Sequence, residues 1–505
     1  MAIVISSLRS IIGRRRVRSV RLRLIHGFGL LSVAFAVAAV GLPGHAFGAV
    51  VRCGRAAGAS PVMASATVAG KLRAGASVVA SGVRLCGDLD LEGAQVKGLF
   101  ECRSCSLTGR LLAAEAAFRS TVDLSGTRFA RVVDLRGARF ERPAVFDVGP
   151  NGSPATFDGR VDFSLATFGE LAAFGRARFE RTATYDFARF RRDAVFDAAS
   201  FASSSFLSAH FDGRASFAGL GTEFVGKTTF ASAAFARDAL FAQAEFDDHT
   251  VFDGGTFASN AIFIGADFTS VSFDDVRAAK SLDLTGIAAD TASFTDTVAD
   301  SVSLRDATFS PSGIVFYRVF IRDLDLAVSD VAYVKGEPRV TLKLIEQSAK
   351  NRDDLAVAND AYFEERVLAS KSHGPVVHAL DVFFYRWVAG YLVRPWHPLL
   401  ALLVLGLVAF AVRTVWRDLH RAHTSSNAAK TSWAQRAGQR VVLGGTALLD
   451  TTGTVLPGRT DAENSEALRL LHRVERFAFG ALMACAVIAL ANSNPSLRQV
   501  LDALR

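Results

Sequence analysis

The sequence predicts an all-β solenoid, closed at its C-terminal end by a helical segment and followed by two membrane-spanning helices. Three observations predict this order. Aromatics recur at short, nearly constant gaps through the middle of the chain, an arginine-rich leader runs into a short apolar stretch at the N-terminus, and two uncharged apolar runs lie near the C-terminus. The 505 residues carry a net charge of +8 and a pI near 9.4, but the charge is uneven. From Asp193 to Thr308 there are 17 Asp/Glu against 6 Lys/Arg, so the basic balance belongs to the flanks.

The leader comes first. Arg9, Arg14, Arg15, Arg16, Arg18, Arg21 and Arg23 precede FGLLSVAFAVAAV (28–40), and small residues at Ala46 and Gly48 offer an A-x-A type cleavage site. This pattern reads as a secretory signal cut near Ala46 or Gly48, with an uncleaved N-terminal anchor as the alternative. In both cases the basic end stays in the cytoplasm and the following domain is exported.

Four cysteines follow: Cys53, Cys86, Cys102 and Cys105. An even set in an oxidising compartment suggests disulfides that staple the start of the solenoid, or plain buried thiols. Cys102-Arg-Ser-Cys105 could instead be half of a zinc site or a redox pair. Cys485 lies in the last apolar run and reads as packing.

The ladder is the strongest signal. It runs Phe163, Phe168, Phe174, Phe179, Tyr185, Phe190, Phe196, Phe201, Phe206, Phe211, Phe217, Phe224, Phe230, Phe235, Phe241, Phe246, Phe252, Phe257, Phe263, Phe268, Phe273, a mean step of 5.5 residues. A helix turning about 100° per residue would scatter steps of five and six to opposite sides, and simple strand alternation fails too. A chain that turns a corner at each step can aim every ring inward from one side of a roughly square coil. Small residues two positions earlier (Ala166, Ala177, Ala188, Ala199, Ala209, Ala233, Ala244, Ala266) give A-x-F, two inward positions separated by one outward position. Four sides of 5.5 residues make a coil of about 22 residues, and residues 78–330 then make roughly eleven coils stacked at ~4.8 Å, a rod on the order of 50 Å long.

The stretches AVFDAASFASSSF (194–206), AIFIGADFTSVSF (261–273) and RFERTATYDFARF (178–190) resemble pentapeptide-repeat proteins of the Phe-rich type, whose core motif is A-(N/D)-(L/F)-x-x. The resemblance implies a right-handed quadrilateral β-helix. Weaker repeats extend it through LDLEGAQV (89–96), VDLSGTRF (122–129), VDLRGARF (133–140), LDLTGI (282–287) and VSLRDATF (302–309), about half the chain in all. The frequent sixth residue departs from the family pattern.

Past the rod, Arg339 to Ser372 reads as helices whose Leu342, Leu344, Ile345, Leu355, Val357, Tyr362 and Phe363 can cover the last coil, an edge that otherwise invites aggregation. PLLALLVLGLVAFAV (398–412), framed by Trp387, Tyr391, Trp396 and Trp416, and FAFGALMACAVIALA (477–491) read as spans, although each uncharged run is only 15 residues. Ten Lys/Arg against six Asp/Glu from Arg413 to Arg476 put that loop in the cytoplasm and the rod outside. The run 363–400 also resembles the juxtamembrane segment of membrane-bound bacterial pentapeptide-repeat proteins, often G-Y-G-x-R-P, with Leu392 in place of the second Gly. The implied location is the bacterial plasma membrane with the β-helix on the extracytoplasmic side.

These signals divide the chain into 1–48, signal or anchor; 49–120, Cys-containing cap and weak repeats; 121–330, the repeat β-helix; 331–396, helical cap and juxtamembrane segment; 397–416, first span; 417–476, basic loop; 477–492, second span; and 493–505, tail. The ten His are scattered, and neither H-E-x-x-H, G-x-S-x-G nor a phosphate loop occurs. His210 and His249 read as solvent-facing turn residues. Asp197, Asp247, Asp253 and Asp274 read as a solvated face, and GLGTEF (219–224) as a bulge or protruding loop. No enzyme, cofactor or metal is expected. The favoured expectation is a non-enzymatic, membrane-anchored scaffold held in the bilayer by its C-terminal helices and presenting the rod to an envelope protein or polymer. One alternative is a channel-like accessory protein, with Thr451, Thr452 and Gly453 in a re-entrant segment. Another is a duplex-mimicking, gyrase-shielding protein, which export would deprive of its target, so no nucleic-acid partner is expected.

Overall fold

A computed structural model describes residues 61–311, 313–424 and 466–494, with side chains up to 412 and from 473 onward. The leader (1–48), Cys53, residues 425–465 of the basic loop, which include the Thr451–Gly453 segment, and the tail from 495 lie outside the described residues.

The rod is a parallel β-solenoid of about 12 turns, with strands from Val62 to Gly336. Each coil in its regular part carries four short strands, two in each of two sheets, and every neighbouring pair is parallel. The register repeats the expected 22 residues: Arg84 sits beside Ser106, and Ser106 beside Arg128. Where Val133 pairs Val161, six extra residues leave the coil as a loop at Val148–Ser153, tied back by Ser104 Oγ donating to Asn151 Oδ1 at 2.8 Å. A single extra residue at 219–221 moves Ser200 beside Glu223, with Leu220 exposed, as the seven-residue gap foretold.

Inside, the ladder is complete. None of the twenty-one aromatics from Phe163 to Phe273 is more than 2% exposed. The rings form four columns, one per side of the coil: Phe118 through Phe257, Phe129 through Phe268, Phe146 through Phe263 and Phe163 through Phe316. Within a column, stacked centroids such as Phe179–Phe201 lie 4.8 Å apart, the spacing that parallel strands impose. Between columns the rings meet edge to face, as Phe196 and Phe206 do at 5.6 Å, or tilted, as Phe196 and Phe201 do at 6.1 Å. Burying one such side chain is worth about 1.5–3 kcal/mol, and each ring pair adds roughly 0.5–1.5 kcal/mol. The eight alanines of the A-x-F pattern are all buried.

Helix α1 (Ser65–Arg73) interrupts the first coil and buries Val68 and Leu72 in the rod core. The N-terminal sequence pattern had not revealed it. At the far end, helix α2 (Pro338–Asn351) begins with Pro at its first turn and sends Leu342 and Ile345 into the same core, while Leu324 N–H donates to Ser348 Oγ at 2.8 Å. Helix α3 (Leu355–Ser370) starts at Asp354, whose carboxylate accepts Val357 N–H at 3.1 Å. Leu344 and Val357 pack partly buried against the rod core. Tyr362 and Phe363, expected on the last coil, instead join a second cluster with Val367, Tyr391 and Val393, because Ala358 and Ala361 are the small residues α3 turns inward.

Beyond a short helix α4 (Pro375–Leu380), helices α5 (Trp396–Thr424) and α6 (Glu466–Ser493) pack on each other. Only Arg473–Ser493 is long and apolar enough among the described residues to cross a membrane by length and composition, and the apolar part of α5, Trp396–Val412, is shorter.

Candidate functional site

A core filled with rings leaves the rod its outward positions, and two regions there carry chemistry: the corners of the acidic coils and the junction with the C-terminal helices.

The aspartates that follow ladder aromatics do more than face solvent. Asp253 Oδ1 accepts both Ser272 Oγ–H at 2.5 Å and Asp274 N–H at 3.1 Å of the next coil. Asp274 repeats the arrangement with Ser293 (2.6 Å) and Thr295 N–H (2.7 Å), Asp197 with Ser216 (2.6 Å) and Ala218 N–H (3.0 Å), and Asp186 with Ser205 and Leu207 N–H. Each carboxylate clamps one coil to the next. The signal was present in the sequence as an Asp with a Ser nineteen residues on, but the pairing shows only once the coil length is known. Asp247 is exposed and takes no such part through its side chain. The Asp238 carboxyl is held below its usual range chiefly by the Ser259 hydroxyl, with Asn260 assisting.

Glu223, Glu245 and Asp267 stack in register on one side of three successive coils and concentrate negative potential there. Toward the rod's ends the carboxylates are matched by arginines one coil away, as in Arg110–Asp88 and Arg305–Asp325, pairs too exposed to add much stability. His210 and His249 are both exposed; His210 Nδ1 lies 3.0 Å from Ser208 O and His249 Nδ1 3.0 Å from Ser270 Oγ. No three His, Cys, Asp or Glu are grouped to hold a metal ion among the described residues.

The cysteines resolve in part. Cys102 and Cys105 form a disulfide across one corner, at the positions that the register aligns with the ring of Phe174 and the small Ala177 farther along the rod. Both are buried. Cys86 is disulfide-bonded as well, Cys53 lies outside the described residues, and Cys485 is free.

The junction is the more constrained region. Gly390, Tyr391 and Leu392 have φ of 55°, 49° and 62°, three consecutive left-handed residues of which two bear side chains. For Tyr391 and Leu392 such backbone costs of order 1–3 kcal/mol each and persists only where its surroundings hold it. Here they do: Tyr391 Oη–H donates to Asp381 Oδ2 at 2.7 Å, and Asn492 Nδ2 donates to Leu392 O at 2.8 Å while Asn359 Nδ2 donates to Asn492 O at 3.1 Å. Burial and the Asp381 carboxylate push the Tyr391 phenol up to about 12. The Arg394 guanidinium lies 3.8 Å from the Phe363 ring centre and pairs Asp360 at 3.1 Å. A groove of about 580 Å³ opens alongside, floored by Val331, Val334 and Leu342 and edged by Asp360, Glu364 and Arg394. The left-handed turn occupies the G-Y-L of the juxtamembrane motif, but its ties to Asn359 and Asn492 carry no sequence signal.

Compared with known protein families and with curated proteins, the chain matches none.

Proposed function

We propose that this chain is a non-enzymatic, membrane-anchored scaffold of the pentapeptide-repeat type, whose rod presents its acidic outer faces to an envelope protein or polymer. The observation that carries the reading is the core itself: rings fill it from Phe118 to Phe316, so recognition falls to the outward faces. In this reading the solenoid is a right-handed quadrilateral β-helix, α1 and α2–α3 cap its two open edges, and α5 and α6 both span the bilayer. The junction supports the anchor. Asn492 at the end of α6 is bonded beside the entry to α5, so the pair runs antiparallel with the rod at one end and the basic loop leaving from the other. With that loop in the cytoplasm, the rod stands outside.

The test is thiol accessibility in intact cells, with Asp247→Cys in the rod, whose side chain is exposed, and Lys430→Cys in the loop, each in a Cys485→Ser background. A rod labelled by an impermeant reagent and a loop labelled only after lysis is the expected result. A protected rod overturns the reading.

A further inference from the structure

The segment between the rod's helices and α5 is built inside out. Over Pro375–Val388, seven large apolar side chains, Val376, Val377, Leu380, Phe383, Phe384, Tyr385 and Trp387, are 53–72% exposed. Two polar side chains of the same segment turn the other way: His378 Nδ1 lies 2.9 Å from Ser370 O, and Asp381 accepts the Tyr391 hydroxyl. A water-facing segment has the opposite distribution, because exposing aromatic rings forfeits their burial while polar groups need no internal partner in water. An outward apolar patch of this size marks an interaction surface.

We propose that Pro375–Val388 is a lipid-docking collar that lies in the headgroup and acyl-chain boundary of the bilayer, as a membrane contact separate from the two helices. Three features select lipid as the occupant. The patch packs directly on α5, whose Leu399, Leu400, Leu403 and Val404 continue the exposed apolar surface. Its Tyr and Trp are the side chains that favour the membrane interface, and Phe is common on the buried face of interfacial helices. Arg386, on the same turn, has a stem long enough to keep its charge at headgroup level. The left-handed turn at Gly390–Leu392 then directs the chain from a course along the interface into α5.

This inference rests on the anchor reading, and the test separates the two. The full chain, carrying Cys485→Ser, is reconstituted into phosphatidylcholine/phosphatidylglycerol vesicles without reductant. Nitroxide is attached singly at Phe384→Cys, Trp387→Cys, Leu403→Cys or Lys371→Cys, with the Cys485→Ser parent as the labelling blank. Relaxation by oxygen is compared with relaxation by a neutral, water-soluble nickel chelate. Lipid docking predicts that labels at 384 and 387 are relaxed more by oxygen than by nickel, as at 403, but at a shallower depth, about 5–10 Å below the headgroups, with 371 in water. Nickel access at 384 and 387 with 403 in lipid overturns the collar alone. Exclusion of both reagents at 384 and 387 also overturns it, in favour of a second copy covering the patch. Nickel access at 403 as well overturns the anchor along with it.

Discussion

Gly213 sits at a bend of the coil where the next chain passes closest. A Cβ built there lies 2.3 Å from the carbonyl carbon of Arg192, 2.5 Å from its oxygen and 2.6 Å from Asp193 N. All three are backbone atoms of one peptide in the preceding coil, and ordinary contact begins about 1 Å farther out. That peptide cannot retreat cheaply. Ala194 N–H donates to Arg214 O at 2.9 Å, Arg214 N–H donates to Asp193 Oδ1 at 3.1 Å, and the Phe190 and Phe211 rings are stacked at 4.8 Å. Gly213→Ala therefore overpacks the rod, at about 1–3 kcal/mol, and loosens two hydrogen bonds worth roughly 1 kcal/mol each, about 3–5 kcal/mol together. The control is Gly286, where φ is +67° but nothing lies within 4 Å of an added Cβ. Alanine there meets the left-handed penalty of roughly 1–2 kcal/mol, partly offset by the lower entropy of its unfolded chain, about 0.5–1 kcal/mol. Urea unfolding of the full chain in detergent, followed by far-ultraviolet circular dichroism, should lower the midpoint several-fold more for Gly213→Ala than for Gly286→Ala. Equal shifts, or the reverse order, refute the close-approach argument.

Three further outcomes follow from the same geometry. The Tyr185 hydroxyl is fully buried in a ring column with no hydrogen-bond partner, so Tyr185→Phe should stabilise the rod by about 1–2 kcal/mol by removing an unsatisfied polar group; a lower urea midpoint argues against this. Asp253→Ala frees the Ser272 hydroxyl and Asp274 N–H, and should cost about 1–2 kcal/mol, with Asp253→Asn recovering part of it through its remaining acceptor oxygen. The Tyr391 phenol, raised to about 12, favours the folded state fully below the free tyrosine value near 10, and that contribution is lost as pH climbs through about 12. Difference absorbance between the parent and Tyr391→Phe should titrate near 12, and a midpoint near 10 contradicts its burial beside Asp381.

The solenoid was legible because one physical requirement, a ring aimed inward at every side of the coil, repeats without a break from Phe163 to Phe273. Periodicity also gave the 22-residue coil, from which the pairing of Arg84 with Ser106 follows. What stayed hidden lacks a period. Helix α1 turns only a few residues inward, and nothing in SATVAGKLR sets it apart from the weak repeats around it. The Asp–Ser clamps look like solvated loop residues until the coil length brings Asp253 under Ser272. Tyr362 and Phe363 read as cover for the last coil, yet their partners Tyr391 and Val393 come from the next segment. The tie from Asn492 to Leu392 joins residues one hundred positions apart, and no local pattern announces it.

The hydrogen bonds between coils, such as Phe196 N–H to Ser216 O, run along the rod axis rather than across it. Tension applied between the far tip and the C-terminal helices therefore loads them lengthwise, and the end coil peels while the rest stays intact. Each released coil of 22 residues pays out about 75 Å of extended chain in exchange for the ~4.8 Å it occupied when stacked. Stretched this way, the rod lengthens in discrete steps of nearly equal size, a molecular spring with its own graduations.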